Sequence, residues 1–346
     1  MTVKEIYENL LRARRPIDFY GDVTCKKDIT ALYRKYAKTI HPDVVKPDER
    51  YIAGEAFKLL RDLCVAGEDE YDKGIYAVID PVEVYKFSTP LFELDIKGEE
   101  YKFYEYITDG EVASVFRGTD SSGIVYIKVG RDPDDNHLIE TEFEVLSTFR
   151  HGSLPFVDKK IKVNDTMAII MREVEGISMA ELMRENPRGV PARHVMWMME
   201  RLLSVVGYLH YNRVVHGNIK PEHLIINKET HNVSLLGFSF CIPKADTSDA
   251  EYKVKNPYSA PEVNKTAQVM PGSDIYSLGK IAIELLGGDI RNNGMPTSVD
   301  ARVRTFFRKM VDTSVNNRPN DAWDLWHQLK NLRTEVFGSK RFEEFN

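Results

Sequence analysis

No run of apolar residues in this chain approaches the roughly 18 that a membrane-spanning helix needs. The amino-terminal residues MTVKEIYENLLRARRP scatter charges where a secretory leader would carry an apolar core, so no leader is expected. Cysteine is scarce. Cys25, Cys64 and Cys241 lie far apart, match no metal-ligand spacing and read as buried or idle thiols of a reducing compartment. An excess of positive charge is missing too: 47 Lys and Arg stand against 53 Asp and Glu, a net charge of −6, which argues against a nucleic-acid partner. What remains is a globular balance, 42% hydrophobic and 29% charged, over 346 residues, a length that suits two domains better than one. The expected setting is cytoplasmic, away from membrane and nucleic acid, with no metal.

The first 77 residues carry helical periodicity. Ile29, Leu32, Tyr33, Tyr36, Ala37 and Ile40 fall at steps of three and four on one helical face, with Asp28 placed as the N-cap. Arg34, Lys35 and Lys38 lie on the other face. The helix stops at His41-Pro42-Asp43, because a proline turns the residue before it away from helix. AGEAFKLLRDL, Ala53 to Leu63, predicts a second amphipathic helix, and KEIYENLL an earlier one.

A basic helix, then HPD, then a packing helix resembles the J-domain of DnaJ-type co-chaperones, with ITALYRKYAKTIHPD as its second helix and signature loop and AFKLLRDL as its third. The resemblance implies an all-α helical hairpin that docks on a DnaK-type ATPase chaperone and stimulates it. In that role Arg34, Lys35 and Lys38 would meet an acidic patch, aiding encounter and register. Asp43 would pair with an arginine of the partner, beside Pro42 and His41. Residues 1–77 hold 14 basic and 14 acidic side chains, so the positive face is local. The Gly/Phe-rich stretch and the zinc module of larger DnaJ proteins are absent, which implies a dedicated recruiter over a general holder of clients.

Residues 78–100 read as a connector whose runs VEVYKF and LFELDI could add strands. From Tyr101, YKFYEYI, ASVFRG and GIVYIKVG alternate as strands, joined by turns at Asp109-Gly110 and Ser121-Ser122-Gly123. A helical pattern from His137 to Phe149, a further strand pair and mostly helix from Ala192 complete an α+β layout.

Residues 101–336 resemble the two-lobed protein kinase fold. VYIKVG looks like the strand whose lysine, here Lys128, holds nucleotide phosphates. ETEFEVLSTFRH carries that lysine's expected partner, Glu142. IIMREVEGISM resembles the hinge, near residues 171–176, with Met171 as gate residue. YSAPEV supplies Glu262, SDIYSLGKIAIELLGG supplies Asp274 on an anchoring helix, and NNRPNDAWDL supplies Arg318, the expected structural partner of Glu262.

The resemblance breaks where the chemistry lies. The family's HRDLKPEN is HGNIKPEH here, so Asn218 stands at the catalytic base and His223 at one metal ligand. The DFG triplet is Gly237-Phe238-Ser239, which removes the main metal carboxylate. A carboxamide cannot accept the proton, and loss of a general base costs roughly 10²–10⁴ in rate. Magnesium prefers oxygen ligands to imidazole. Gly217 replaces the arginine that reads an activation-segment phosphate in the family. Lys220 remains. The phosphate-covering GxGxxG falls on Thr108, Gly110 and Ala113, so one glycine survives.

The expectation is a J-domain joined to a pseudokinase: an adaptor whose kinase-like part binds a protein client while the J-part brings a DnaK-type chaperone. No cofactor is expected beyond ATP held weakly without magnesium, at Gly110, Lys128, Glu142 and Met171. The alternative is an unconventional, metal-independent kinase or other nucleotide-using transferase, with Glu222 or another acidic group as base.

Overall fold

Helix α1, Val3–Arg12, opens with a capping box: the Thr2 hydroxyl accepts from the Glu5 N–H at 3.2 Å, and the Glu5 carboxylate accepts from the Thr2 N–H at 2.7 Å. The computed structural model describes the chain except residues 14–15, 22, 24, 73–75, 77–88, 231, 248–250, 265–268 and 339–346. The chain divides into two compact units. One comprises Met1–Asn136, Arg150–Gly152 and Phe156–Glu173. The other comprises His137–Phe149, Ser153–Pro155 and Val174–Asn346.

The first unit begins with four helices: α1, α2 (Pro16–Tyr20), α3 (Lys26–Ile40) and α4 (Arg50–Asp72). Their core gathers Ile6, Tyr7, Ile29, Ile40, Ala56 and Leu60, each at or below 1% exposure. Burial of each large apolar side chain contributes roughly 1.5–3 kcal/mol. The periodic face read from Ile29 to Ile40 is thus the core face of α3. Its start differs from the sequence reading. The helix begins at Lys26, and Asp28 is not the N-cap; it lies in the first turn, where its carboxylate accepts from the Cys25 N–H at 3.1 Å. An acidic group there also suits the positive end of the helix. The α3–α4 hairpin was expected, whereas the five-residue α2 is too short to show a period. Gly67 on α4 allows α2 to approach closely, since a Cβ there would stand 2.9 Å from Pro16 Cβ.

The same unit holds a six-stranded antiparallel sheet, in the order β1-β2-β3-β4-β6-β5. Its strands are β1 (Phe92–Ile96), β2 (Glu99–Asp109), β3 (Ala113–Asp120), β4 (Gly123–Gly130), β5 (Val157–Val163) and β6 (Thr166–Arg172). The LFELDI run of the connector therefore forms an edge strand, and VEVYKF lies outside the described residues. Alternation places Tyr101, Phe103, Val125, Ile127, Ala168 and Ile170 in one apolar cluster. The β3–β4 turn is Ser121-Ser122, with Gly123 at φ +126° and the Asp120 carboxylate accepting from the Ser122 N–H at 2.7 Å.

The second unit is mainly helical: α5 (Asn136–Thr148), α6 (Met179–Glu185), α7 (Ala192–Tyr211), α8 (Pro271–Leu285), α9 (Ala301–Met310) and α10 (Ala322–Phe337). Short strands β7 (Ile177–Ser178) to β11 (Ile242–Pro243) accompany them; β7, β9 (Leu224–Ile226) and β10 (Val233–Leu235) form one small sheet, and β8 (Val214–Val215) pairs with β11. Helix α8 is buried around its whole circumference, which marks a central helix. Gly279 lets it approach the end of α9, since a Cβ would meet Met310 Cβ at 2.8 Å. Along residues 171–176 the change of unit falls between Glu173 and Val174. Among the described residues no helix is long and apolar enough to cross a membrane. Cys64 and Cys241 are buried and Cys25 is half-buried.

Candidate functional site

The loop between β8 and β9 hangs from α8. The Asp274 carboxylate accepts from the N–H of His216 at 2.8 Å and of Gly217 at 2.9 Å, and lies 3.0 Å from His210 Nε2. Asp274 is 1% exposed. Burial acts to raise its pKa, but His210 and the surrounding donors outweigh this and hold the carboxyl below its ordinary value. The anchoring role expected for Asp274 is thus a direct hold on two backbone amides.

His216 is fully buried, and burial lowers the pKa of its imidazole. Its Nε2 lies 2.9 Å from the Leu236 carbonyl and its Nδ1 3.2 Å from the Asn218 N–H. That pattern assigns the neutral tautomer with the proton on Nε2. Since the folded pKa is below the unfolded value, the unfolded chain takes up a proton first as pH falls. The stability from neutral His216 is complete above about pH 6.5 and is lost as pH falls below it, by up to ~1.4 kcal/mol per pH unit. Urea midpoints of the wild type are expected to drop steeply from pH 7 to pH 5, and those of His216→Gln less so. Equal slopes would contradict this.

Asn218 is 1% exposed. Its Oδ1 accepts from Asn256 Nδ2 at 3.0 Å, and Asn256 Oδ1 itself accepts from the Tyr258 N–H at 2.8 Å. The second bond fixes which way the Asn256 amide points, and with it the Asn218 amide. The oxygen at the expected base position is therefore already taken by another amide. The segment carrying Asn256 is pinned on either side. The Tyr258 hydroxyl donates to Glu284 at 2.6 Å, and the Tyr252 hydroxyl donates to Ser273 at 2.8 Å while accepting from the Met270 N–H at 2.9 Å. Gly217 sits at φ +72°, a region that favours glycine, so its identity follows from the backbone as well as from a missing arginine.

His223 places Nδ1 2.9 Å from the Asn218 carbonyl. Its ring lies directly over Gly237, where a Cβ would come within 2.6 Å of His223 Cγ. Gly237 has φ +81°. Ser239 donates its hydroxyl to Glu142 at 2.6 Å, and Glu142 on α5 is 2% exposed. Lys128 belongs to the other unit, on β4 between Val115 and Ile169, and Met171 lies on β6 between Tyr126 and Val157. At the β2–β3 turn the Gly110 N–H donates to the Ala113 carbonyl at 2.8 Å, and the Arg131 guanidinium donates to the carbonyls of Gly110 and Glu111, both at 2.8 Å. The turn's glycine N–H is spent within the hairpin. Sequence reasoning found Gly110, Lys128, Glu142, Asn218, His223 and Gly237. It named Ser239 without its partner Glu142, 97 positions away, and missed Asn256, Tyr252 and Arg131, whose partners lie 38, 21 and 21 positions away.

Glu262 and Arg318 form a bidentate buried pair, at 2.5 and 3.0 Å. In the amino-terminal helices, the His41 ring meets the Phe57 ring edge-on at 5.3 Å, and the Asp43 N–H donates to His41 Nδ1 at 3.2 Å. Arg34 and Lys38 rim a groove of about 400 Å3 floored by Tyr33, Ala37 and Phe57 and flanked by Val44. Lys35 lies outside that rim, over the Tyr36 ring at 5.7 Å.

The protein kinase domain family matches residues 101–340. This chain belongs to that family. Among curated relatives, cyclin-dependent kinase-like 5 of Mus musculus is 28% identical over 181 residues, covering 50% of this chain and 19% of the relative. Cyclin-dependent kinase 14 of Oryctolagus cuniculus is 24% identical over 250 residues, covering 70% of this chain and 52% of the relative. Serine/threonine-protein kinase dkf-2 of Caenorhabditis briggsae is 25% identical over 160 residues, covering 45% and 13%. The chain thus spans about half or less of the length of these relatives. The residues present do not fit the magnesium that the family uses with its nucleotide. The family's asparagine oxygen is missing at 223 and its carboxylate at 237, and the imidazole of His223 occupies the space a side chain at 237 would need.

Proposed function

We propose that the chain is a co-chaperone adaptor: the amino-terminal helices act as a J-domain that recruits and stimulates a DnaK-type ATPase chaperone, and the kinase-family domain serves as a pseudokinase that binds a protein client. The observation that carries the reading is the rebuilt centre, in which Asn256 takes up the oxygen of Asn218 and the His223 ring covers Gly237. A centre whose base-position oxygen is bonded to Asn256 and whose glycine is covered by an imidazole is suited to holding a shape, not to moving a proton or a metal. The recruiting role is supported by the exposed loop at the end of α3, where the side chains of His41 and Asp43 are 44% and 88% exposed beside the cationic rim. The test is the ATPase rate of a purified DnaK-type chaperone with the full chain. Wild type is expected to raise it and Asp43→Asn to abolish the rise. Equal stimulation by the variant would sink the proposal.

A second reading, a metal-independent kinase or other nucleotide-using transferase, is favoured by family membership and by the kinase relatives. It keeps Lys128 and Glu142 as nucleotide contacts. The two readings part in a thermal-shift titration with ATP, with magnesium and with EDTA, since a ligand of the native state raises Tm by mass action. The adaptor reading expects at most a small shift, from ATP held weakly. A large shift that persists in EDTA and vanishes in Lys128→Met, with phosphate transferred from ATP to protein, would establish the second.

A further inference from the structure

Helix α4 carries two stripes. Ala53, Ala56, Leu60 and Cys64 face the core of the helical domain. Tyr51, Glu55 and Leu59 recur at every fourth position, and at 100° per residue their stripe is centred about 145° from the first, with Leu59 at its edge also packed on the core. Its targets lie far along the chain, in the loop Arg150–Gly152 of the same unit. The Tyr51 ring lies 5.9 Å from the His151 ring at 33°. Gly152 faces Glu55 and Leu59: a Cβ there would stand 3.5 Å from Glu55 Oε2 and 3.9 Å from Leu59 Cδ2. Glu55 is only 9% exposed and pairs with Lys58; His151 is 2% exposed. A glutamate is rarely this buried without a partner surface. The Arg150 guanidinium lies over the Phe156 ring at 5.1 Å.

We infer that Arg150–Gly152 is the docking seat of the amino-terminal helical domain, held there by Tyr51, Glu55 and Leu59 of α4, so that the two parts of the first unit move as one body. Independent motion is the usual expectation for domains joined by a connector. Here the docked face is not the face that carries Arg34, Lys38, His41 and Asp43, and that loop stays exposed. Docking therefore sets the position of the loop without masking it, so a partner bound there would be held at a set place relative to the sheet, not on a swinging tether. The inference holds whether or not that partner is a chaperone.

The test is backbone nitrogen relaxation on the full chain, comparing amides of α3 with those of β2–β4. In the wild type the two sets are expected to report the same rotational correlation time. Gly152→Glu, which sets a second carboxylate against Glu55 Oε2, is expected to free the helices and shorten the α3 value by a factor of about two, as for a small domain on a tether. Tyr51→Ser, at a partly exposed position that leaves the helical core untouched, is expected to act in the same direction. Dispersed α3 resonances would show that the helices remain folded in either variant. A shorter α3 value in the wild type, or no change in both variants, would overturn the inference.

Discussion

Arg318→Ala is expected to lower the unfolding free energy by about 3–5 kcal/mol, the usual cost of breaking a buried ion pair from one side. Arg318 is 4% exposed and Glu262 6%, so neither charge can turn to water. The loss reaches beyond the pair. Arg318 Nε donates to the Asp312 carbonyl at 2.9 Å and Nη1 to the Gly272 carbonyl at 3.0 Å, and the guanidinium lies 4.8 Å over the Tyr276 ring. Truncation strands a carboxylate and two carbonyls and removes a cation–π contact. Urea unfolding measures the effect. The double variant Arg318→Met with Glu262→Leu is expected to regain a good part of the loss, because it removes the stranded charge. A loss below about 1 kcal/mol for Arg318→Ala would place the pair with weak surface bridges and contradict its structural role.

Gly237→Asp, which restores the family's metal carboxylate on paper, is expected to destabilise the chain by roughly 2–4 kcal/mol. Two costs combine. A residue with a Cβ is strained at φ +81°. The new Cβ also overlaps the His223 ring, which must leave and give up its bond to the Asn218 carbonyl. Pairing the change with His223→Asn opens that space. The double variant is expected to be more stable than the sum of the single changes allows, by about 0.5–3 kcal/mol. Additive losses in urea midpoints would mean that His223 and Gly237 do not depend on each other.

Much of the kinase-family domain was legible along the chain. Lys128, Glu142, Asp274, Glu262 and Arg318 stand in motifs of recognisable order, and the match over residues 101–340 agrees with the expected 101–336. The alternation in YKFYEYI and GIVYIKVG is a property of neighbouring residues, as is the three-and-four spacing of α3. The errors lie where local signals compete. Asp28 has an N-cap's chemistry but works from inside the first turn, because the helix starts earlier, at Lys26. Gly217 read as a lost arginine, and its positive φ was invisible without the backbone.

The chain order alone shows which reacting groups are replaced, since side-chain identity is written residue by residue. It cannot show what the replacements do. Asn256 reaches Asn218 across 38 positions, Ser239 reaches Glu142 across 97, and His223 meets Gly237 because a loop folds back on itself. Such partners have no sequence period, because packing between distant segments selects them. Likewise the spacing in AGEAFKLLRDL predicts an amphipathic α4, but only the folded unit decides that Ala53, Ala56 and Leu60 face the helical core while Tyr51 and Glu55 lie against His151 and Gly152. Local spacing sets which faces a helix can offer; burial against a distant surface selects the face that is used.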